Sequence, residues 1–262
     1  MNHTPQVFAR RTLLLALGAT MAAPSLSFAA AARLTLAEVV RRNTRARGGA
    51  AALDRMHAVG VDVEIVEGGQ TLGGRYAANR AGLVRIDVYA GGKHVGSEGV
   101  DAKGVWILGK DGPRPSVATG AGNALTHGAE NHLFGWNRFP SRGHRLALMP
   151  SETIDGTTYP VVEVRYSTGH VSYFYVDPKS WQAVRRRDQR AYHPDVSQSK
   201  QHVETRMSDF VAVAGVVAAH RNEDYDLDTG KLLSTNRVLA RRINPALAAD
   251  YFDRNRSAPP TW

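Results

Sequence analysis

The sequence predicts a mainly β protein, a long antiparallel meander curved enough to hold an apolar ligand on one face. From Val59 to Leu239, short runs rich in Val, Ile, Tyr and Arg are separated by turn pairs such as Gly68-Gly69, Gly91-Gly92, Asp155-Gly156, Thr168-Gly169 and Thr229-Gly230. That is the punctuation of consecutive hairpins. The runs number eleven or twelve, too many for a flat open sheet. No Gly-x-Ser-x-Gly elbow, phosphate loop, His-Glu-x-x-His or dinucleotide fingerprint interrupts them, so the sheet itself is expected to carry the function, without catalytic residues, metal or cofactor.

The first element is a leader. Arg10-Arg11 precede the apolar run Leu13 to Ala19, and Ser27-Phe28-Ala29 supply a small-x-small site. Residues 1–29 therefore read as a cleavable export signal, cut near Ala29. The apolar run is too short to span a bilayer, and the arginine pair suits either the Sec or the twin-arginine route. Residues 30–262 remain as one domain, expected to be soluble in the periplasm. With no cysteine anywhere, neither a disulfide nor a lipid-bearing N-terminal Cys can form.

Leu34 to Arg47 then carries Leu36, Val39 and Val40 on one side, with Glu38 early and arginines late, which suits a helix and its dipole. Gly48-Gly49 ends it, and Ala50 to Met56 forms a short second helix. The first strands are Val59 to Val66, Thr71 to Asn79, Leu83 to Ala90, Lys93 to Glu98 and Gly104 to Leu108. In the first of these Val59, Val61, Val63 and Ile65 share one face. Lys110 to Ser141 breaks the pattern with Pro113 and Pro115, then a helix over about Ala124 to Trp136. An insertion of that length is the expected lid or plug over the concave face. Strands resume near Arg145 and continue as Pro160 to Tyr166, Val171 to Val176, Ala183 to Tyr192, His202 to Phe210, Val216 to Tyr225 and Lys231 to Leu239. The Pro-containing tail from Ala246 to Trp262 is expected to wrap a sheet edge.

Loss of the leader lowers the formal charge from +9 to +7. Arg185-Arg186-Arg187, Arg190 and Arg241-Arg242 are expected on a solvated strand face, able to attract an acidic partner or phosphate head groups. No recognition helix or RNA-binding aromatic signature accompanies them, so nucleic acid is excluded as a partner. His193, His202 and Glu204 are the nearest approach to a metal set, but their spacing is nonspecific. His127 and His132, five apart, would diverge on a helix. Asp224, Asp226 and Asp228 resemble the start of a calcium loop, but Thr235 stands where the twelfth-position Glu belongs, and a solvated hairpin end explains them.

The large aromatics Trp106, Trp136, Phe139, Trp181, Tyr173 and Tyr175 are the side chains best suited to an apolar ligand. Trp106, Trp136, Phe139, Tyr173 and Tyr175 form the candidate ligand-binding set. Trp136 and Phe139 sit in the expected lid, while Tyr173 and Tyr175 share a strand face.

Three stretches resemble the outer-membrane lipoprotein-sorting proteins of the LolA/LolB-like superfamily. They are Arg47-Gly48-Gly49-Ala50-Ala51-Ala52-Leu53 leading into the strand at Val59; Gly143-His144-Arg145 through Ile154-Asp155-Gly156, Tyr159, Tyr173 to Tyr175 and Val176-Asp177-Pro178-Lys179 to Val184-Arg185; and Ile243-Asn244-Pro245 with Phe252. The resemblance implies a highly curved antiparallel open half-barrel, its concave face covered by helices and enclosing a cavity for acyl chains. It implies a periplasmic carrier or sensor for a lipid or lipoprotein acyl chain, working with an inner-membrane transporter. Two alternatives stand beside it: an interaction module docking on an envelope transporter or acidic partner through its arginine-rich strands or a sheet edge, and a metal-dependent enzyme around His193, His202 and Glu204.

Overall fold

The computed structural model describes residues 34–109, 111–116, 119–193 and 196–258; the expected export signal lies outside them. Two meanders meet at one seam. The first contains β1 (Ala58–Glu67), β2 (Gln70–Asn79), β3 (Val84–Ala90), β4 (Lys93–Asp101), β5 (Gly104–Gly109) and β6 (Gly112–Pro115). The second contains β7 (Arg145–Ile154), β8 (Thr157–Arg165), β9 (Val171–Val176), β10 (Ala183–Ala191), β11 (Lys200–Val213), β12 (Val216–Asp226) and β13 (Leu232–Ile243). Within each meander every strand pairs antiparallel with its neighbour in sequence, and β1 pairs with β13 from Val59 opposite Ile243 to Glu67 opposite Ser234. One 13-stranded sheet results, not closed into a barrel, with β6 and β7 as its edges.

The strand missed in the sequence is β6. Pro113 and Pro115 argue against a strand because proline cannot donate to a ladder. The rule holds in the fold, since β6 lies at an edge with only β5 beside it.

Helix α1 (Leu36–Ala46) is capped by Thr35, whose hydroxyl accepts from the Glu38 amide at 3.2 Å. Its Val39 is fully buried. Gly48 follows at φ +108°, where a Cβ would overlap the Gly215 carbonyl oxygen, so both the turn and the close backbone approach require glycine. The short α2 (Ala50–Asp54) contributes buried Leu53. Asn244, at φ +53°, fastens the seam to this corner: its side chain accepts from the amides of His57 and Ala58 and donates to the Arg55 carbonyl.

Helix α3 (Thr119–Leu133) and two 3-10 turns, Trp136–Arg138 and Pro140–Arg142, fill the expected lid segment. They are part of the core. Leu125, Ala129, Leu133, Trp136 and Phe139 join Val39, Val162, Phe174 and Val216 in one buried cluster. Burying each large apolar side chain contributes about 1.5–3 kcal/mol, so this segment holds the sheet curled around it. At its N-terminal end α3 rides directly on β5, where a Cβ on Gly122 would overlap Val105 Cγ2.

The tail departs from expectation. It crosses the face of β3 and β4 instead of wrapping an edge: Arg85 donates to the carbonyls of Asp253 and Arg256 at 3.1 and 3.0 Å, and Arg254 pairs with Asp101.

Candidate functional site

Cross-strand partners share a face, so the register sorts every side chain. The inner face, toward α3, carries Val61, Tyr76, Ile86 and Glu98 in one row and Phe174, Arg186, Thr205 and Asp224 in another. The outer face carries Arg85, Gly99 and Trp106 on the first meander and Tyr175, Arg185 and Arg206 on the second.

Two cavities lie between α3 and the inner face, and both border Gly128. One, of about 490 Å³, is mainly apolar, with Tyr76, Ile86, Ile107, Ala121 and Leu125 in its wall. The other, of about 260 Å³, mixes Trp136, Phe174 and Met207 with Arg47, His132 and Arg241. Gly128 keeps this space open, because a Cβ there would meet nothing within 4 Å. Such a pairing of apolar wall and few polar groups is typical of ligand sites.

The polar cavity is rich in cations. Arg47 donates to the carbonyls of Phe134 at 2.8 Å and Asn131 at 2.9 Å, capping the end of α3 where the carbonyls lack helical partners. Burial, reinforced by nearby Arg241, lowers its pKa to about 10. Arg186 lies 3.2 Å from Asp188, which offsets its burial and raises its pKa. Arg241 is different. It is 9% exposed, and among the described residues its Nε has no hydrogen-bond partner and its guanidinium no carboxylate partner. Burial pushes its pKa down. His132, also in this wall, is pushed down to about 3 by burial and then by Arg241, and is neutral at pH 7.

The sequence candidates separate. Trp136, 3% exposed, lines the polar cavity and packs edge-on against Phe174, ring centroids 5.5 Å apart. Phe139 is completely buried in the core beside His144 and Tyr166. Trp106, Tyr173 and Tyr175 face the other way. Trp106 lies under Arg85, whose guanidinium is 5.6 Å from its ring centroid. Tyr173 and Tyr175 pack with Tyr159 and Val161 in a small outer-face cluster. Neighbouring Phe174 is the residue of that strand that meets the cavity; strand alternation showed that 173 and 175 go together, but not which side they take. Trp181 lies beneath the Arg42 guanidinium.

The arginine run divides in the same way. Arg185 and Arg187 point outward and, with Arg206, grip Glu204 at 2.9, 2.7 and 2.7 Å. Glu204 is 1% exposed, and hydrogen bonds to Arg206 and Arg187 outweigh burial to lower its pKa. Arg186 and Arg241 point inward, contrary to the expected solvated face. The three residues weighed as a metal set have separate partners: His193 pairs with Glu67, His202 with Asp228 at 3.1 Å, and Glu204 with the arginines. His127 and His132 diverge as expected, the first stacking on Tyr166 and the second lying beside Tyr76. Asp226 closes its hairpin by accepting from the Asp228 and Thr229 amides.

A curled, unclosed antiparallel sheet whose first and last strands pair, with a helical segment packed on its inner face, is an architecture found in solved structures. The LolA superfamily protein NE2245 from Nitrosomonas europaea superposes with a TM-score of 0.53 at 14% identity, over 84% of this chain and 97% of that one. A DUF1329 family protein from Desulfovibrio piger superposes at 0.46 and 11% identity, over 83% and 96%. No family model matches the sequence, and no curated protein does. No helix among the described residues is long and apolar enough to cross a membrane.

Proposed function

We propose that this chain is a periplasmic carrier or sensor, exported by residues 1–29, that holds the hydrocarbon of a lipid or lipoprotein acyl chain between α3 and the inner face. It performs no covalent chemistry. The observation that carries this function is the mainly apolar cavity of about 490 Å³ beside α3, kept open at Gly128. Each CH₂ moved from water into such a wall gains about 0.8 kcal/mol, so half of a long acyl chain gives useful affinity. Entry and release require α3 and the turns after it to shift on the sheet. The LolA-superfamily fold supports this function and makes a membrane transporter the natural partner.

The alternative of docking through the arginine run has less support, since Arg185 and Arg187 are paired with Glu204. Native mass spectrometry of protein purified from its host's membranes should show a co-purifying lipid, and a fluorescent fatty acid should bind saturably. Gly128→Phe, which fills the space shared by both cavities, should abolish that binding while leaving the β-sheet circular dichroism intact. Absence of both lipid and saturable uptake in the unaltered protein would sink the proposal.

A further inference from the structure

Three polar atoms of the sheet have nothing to bond. They are Arg241 Nε, Tyr76 Oη and His220 Nε2, all buried and without hydrogen-bond partners among the described residues. Arg241 and Tyr76 both stand opposite Val61 in register and so flank it on the inner face, and His220, on the neighbouring β12, is near enough to Arg241 to feel its charge. Tyr76 stands in the wall of the apolar cavity and Arg241 in that of the polar one. Each can offer a hydrogen: a guanidinium N–H, a phenol O–H and, in one tautomer, an imidazole N–H.

A buried charge left without a partner costs several kcal/mol, as do buried donors left unbonded to a lesser degree. Elsewhere the molecule supplies partners to buried charges, as Asp87 does for Arg85 and the three arginines for Glu204. At Arg241 it supplies none. The one carboxylate in that cavity wall, Asp224, is taken by Thr205 and Arg190. Arg47 and Arg186 add positive charge to the same wall. The missing partner is therefore an oxyanion, and it must enter from outside.

Resting on the carrier function above, we propose that the ligand is an anionic amphiphile whose carboxylate or phosphate head is received by Arg241, Tyr76 and His220, its chain running past Gly128 into the apolar cavity. A charge-assisted bidentate contact to guanidinium is the strongest hydrogen-bonding arrangement open to such a head. It orients the chain inward from the cation and selects against neutral lipids of equal length.

The test compares palmitic acid, hexadecyl phosphate, hexadecanol and inorganic phosphate by calorimetric titration into the full mature chain. Both anionic chains should bind at least ~10-fold more tightly than hexadecanol, the scale of one charge-assisted contact. The stronger of the two identifies the head group, and inorganic phosphate alone should not bind measurably. Arg241→Gln should erase the preference for the anions over hexadecanol. Arg241→Lys should restore part of it, and Tyr76→Phe should weaken anion binding alone. Equal affinity for palmitic acid and hexadecanol overturns the anionic-head assignment but leaves the carrier function standing. Binding of phosphate with no binding of any chain overturns both, as does no binding at all. Should Arg241→Gln fail to fold, Tyr76→Phe and the ligand series on the unaltered protein decide the matter.

Discussion

The two faces of the sheet differ in how a buried charge is met. On the outer face, buried charges are neutralised within the fold: Arg85 and Asp87 lie 3.0 Å apart under the tail, and Glu204 is shared by Arg185, Arg187 and Arg206. On the inner face Arg186 is met by Asp188, but among the described residues Arg241 has no carboxylate partner and Arg47 bonds only carbonyls. A buried charge with its partner in the same chain stabilises or at least breaks even, whereas one without a partner is a standing cost. The contrast separates arginines whose partner lies within the fold from Arg241, whose partner is proposed above to be a ligand.

The largest way to sharpen the contrast is to create an inner-type defect on the outer face. Asp87→Ala strands buried Arg85 and should lower stability by about 3–5 kcal/mol, read as a lower urea midpoint at unchanged slope. A stability loss below about 1 kcal/mol would show that water reaches Arg85 and that the outer pairing is not needed.

Acid should act next, and on the inside. His132 and His127 have folded pKa values near 3, against 6.5 in the unfolded chain. Burial is the main cause for both, followed by Arg241 for His132 and His170 for His127. Between those values the unfolded state binds protons that the folded state refuses, so stability falls as pH drops from about 6.5 toward 3. Each histidine accounts for about 2 kcal/mol between pH 7.5 and 4.5. The carboxylates run the same way in a lower window: Asp62, Asp188 and Glu204 have lowered pKa values, and their stabilisation is lost only as pH falls below about 4. Urea midpoints at pH 7.5 and 4.5 should differ less in His132→Gln than in the unaltered protein.

A smaller effect distinguishes the two ends of α3. Gly122→Ala forces a Cβ into Val105 and should cost about 1–3 kcal/mol, whereas Gly128→Ala meets open space and should gain about 0.5–1 kcal/mol from helix propensity. Thermal melts of the pair should move in opposite directions; if both fall, the space at Gly128 is not free.

The smallest effect has the sign that the outer face would never give. Arg241→Met removes an unpaired buried cation and should stabilise the ligand-free protein by about 1 kcal/mol, checked by the same urea titration. A loss of stability would mean that Arg241 has a structural partner after all.

Much of the scaffold was legible from local patterns. Turn glycines such as Gly91-Gly92 and Gly156 carry positive φ as hairpins demand, and the Ile243-Asn244-Pro245 stretch marks the end of the sheet seam. Strand β6 was hidden by its prolines, and the lid proved to be core because Leu125, Leu133 and Phe139 look alike in a lid and in a plug. The candidate site was read less well. Trp136 reaches the cavity, but Phe174 was passed over for Tyr173 and Tyr175, and Arg241 was placed among solvated arginines. Nothing local set Arg241 apart, because the same strand also carries Arg237 and Arg242.

Sequence alone determined that alternate residues travel together, where the chain turns, and that a helical segment divides two runs of strands. These follow from period-two geometry and from backbone angles that particular residues permit. Tertiary structure alone decided which of each alternating pair looks inward. Irregularities between Asp62 and Val63 and between Ala183 and Arg185 shift the register, so the parity counted along a strand changes side partway. Only the assembled sheet shows that Arg241 lies indoors with no acid among the described residues to meet it, because pairing is a fact about space.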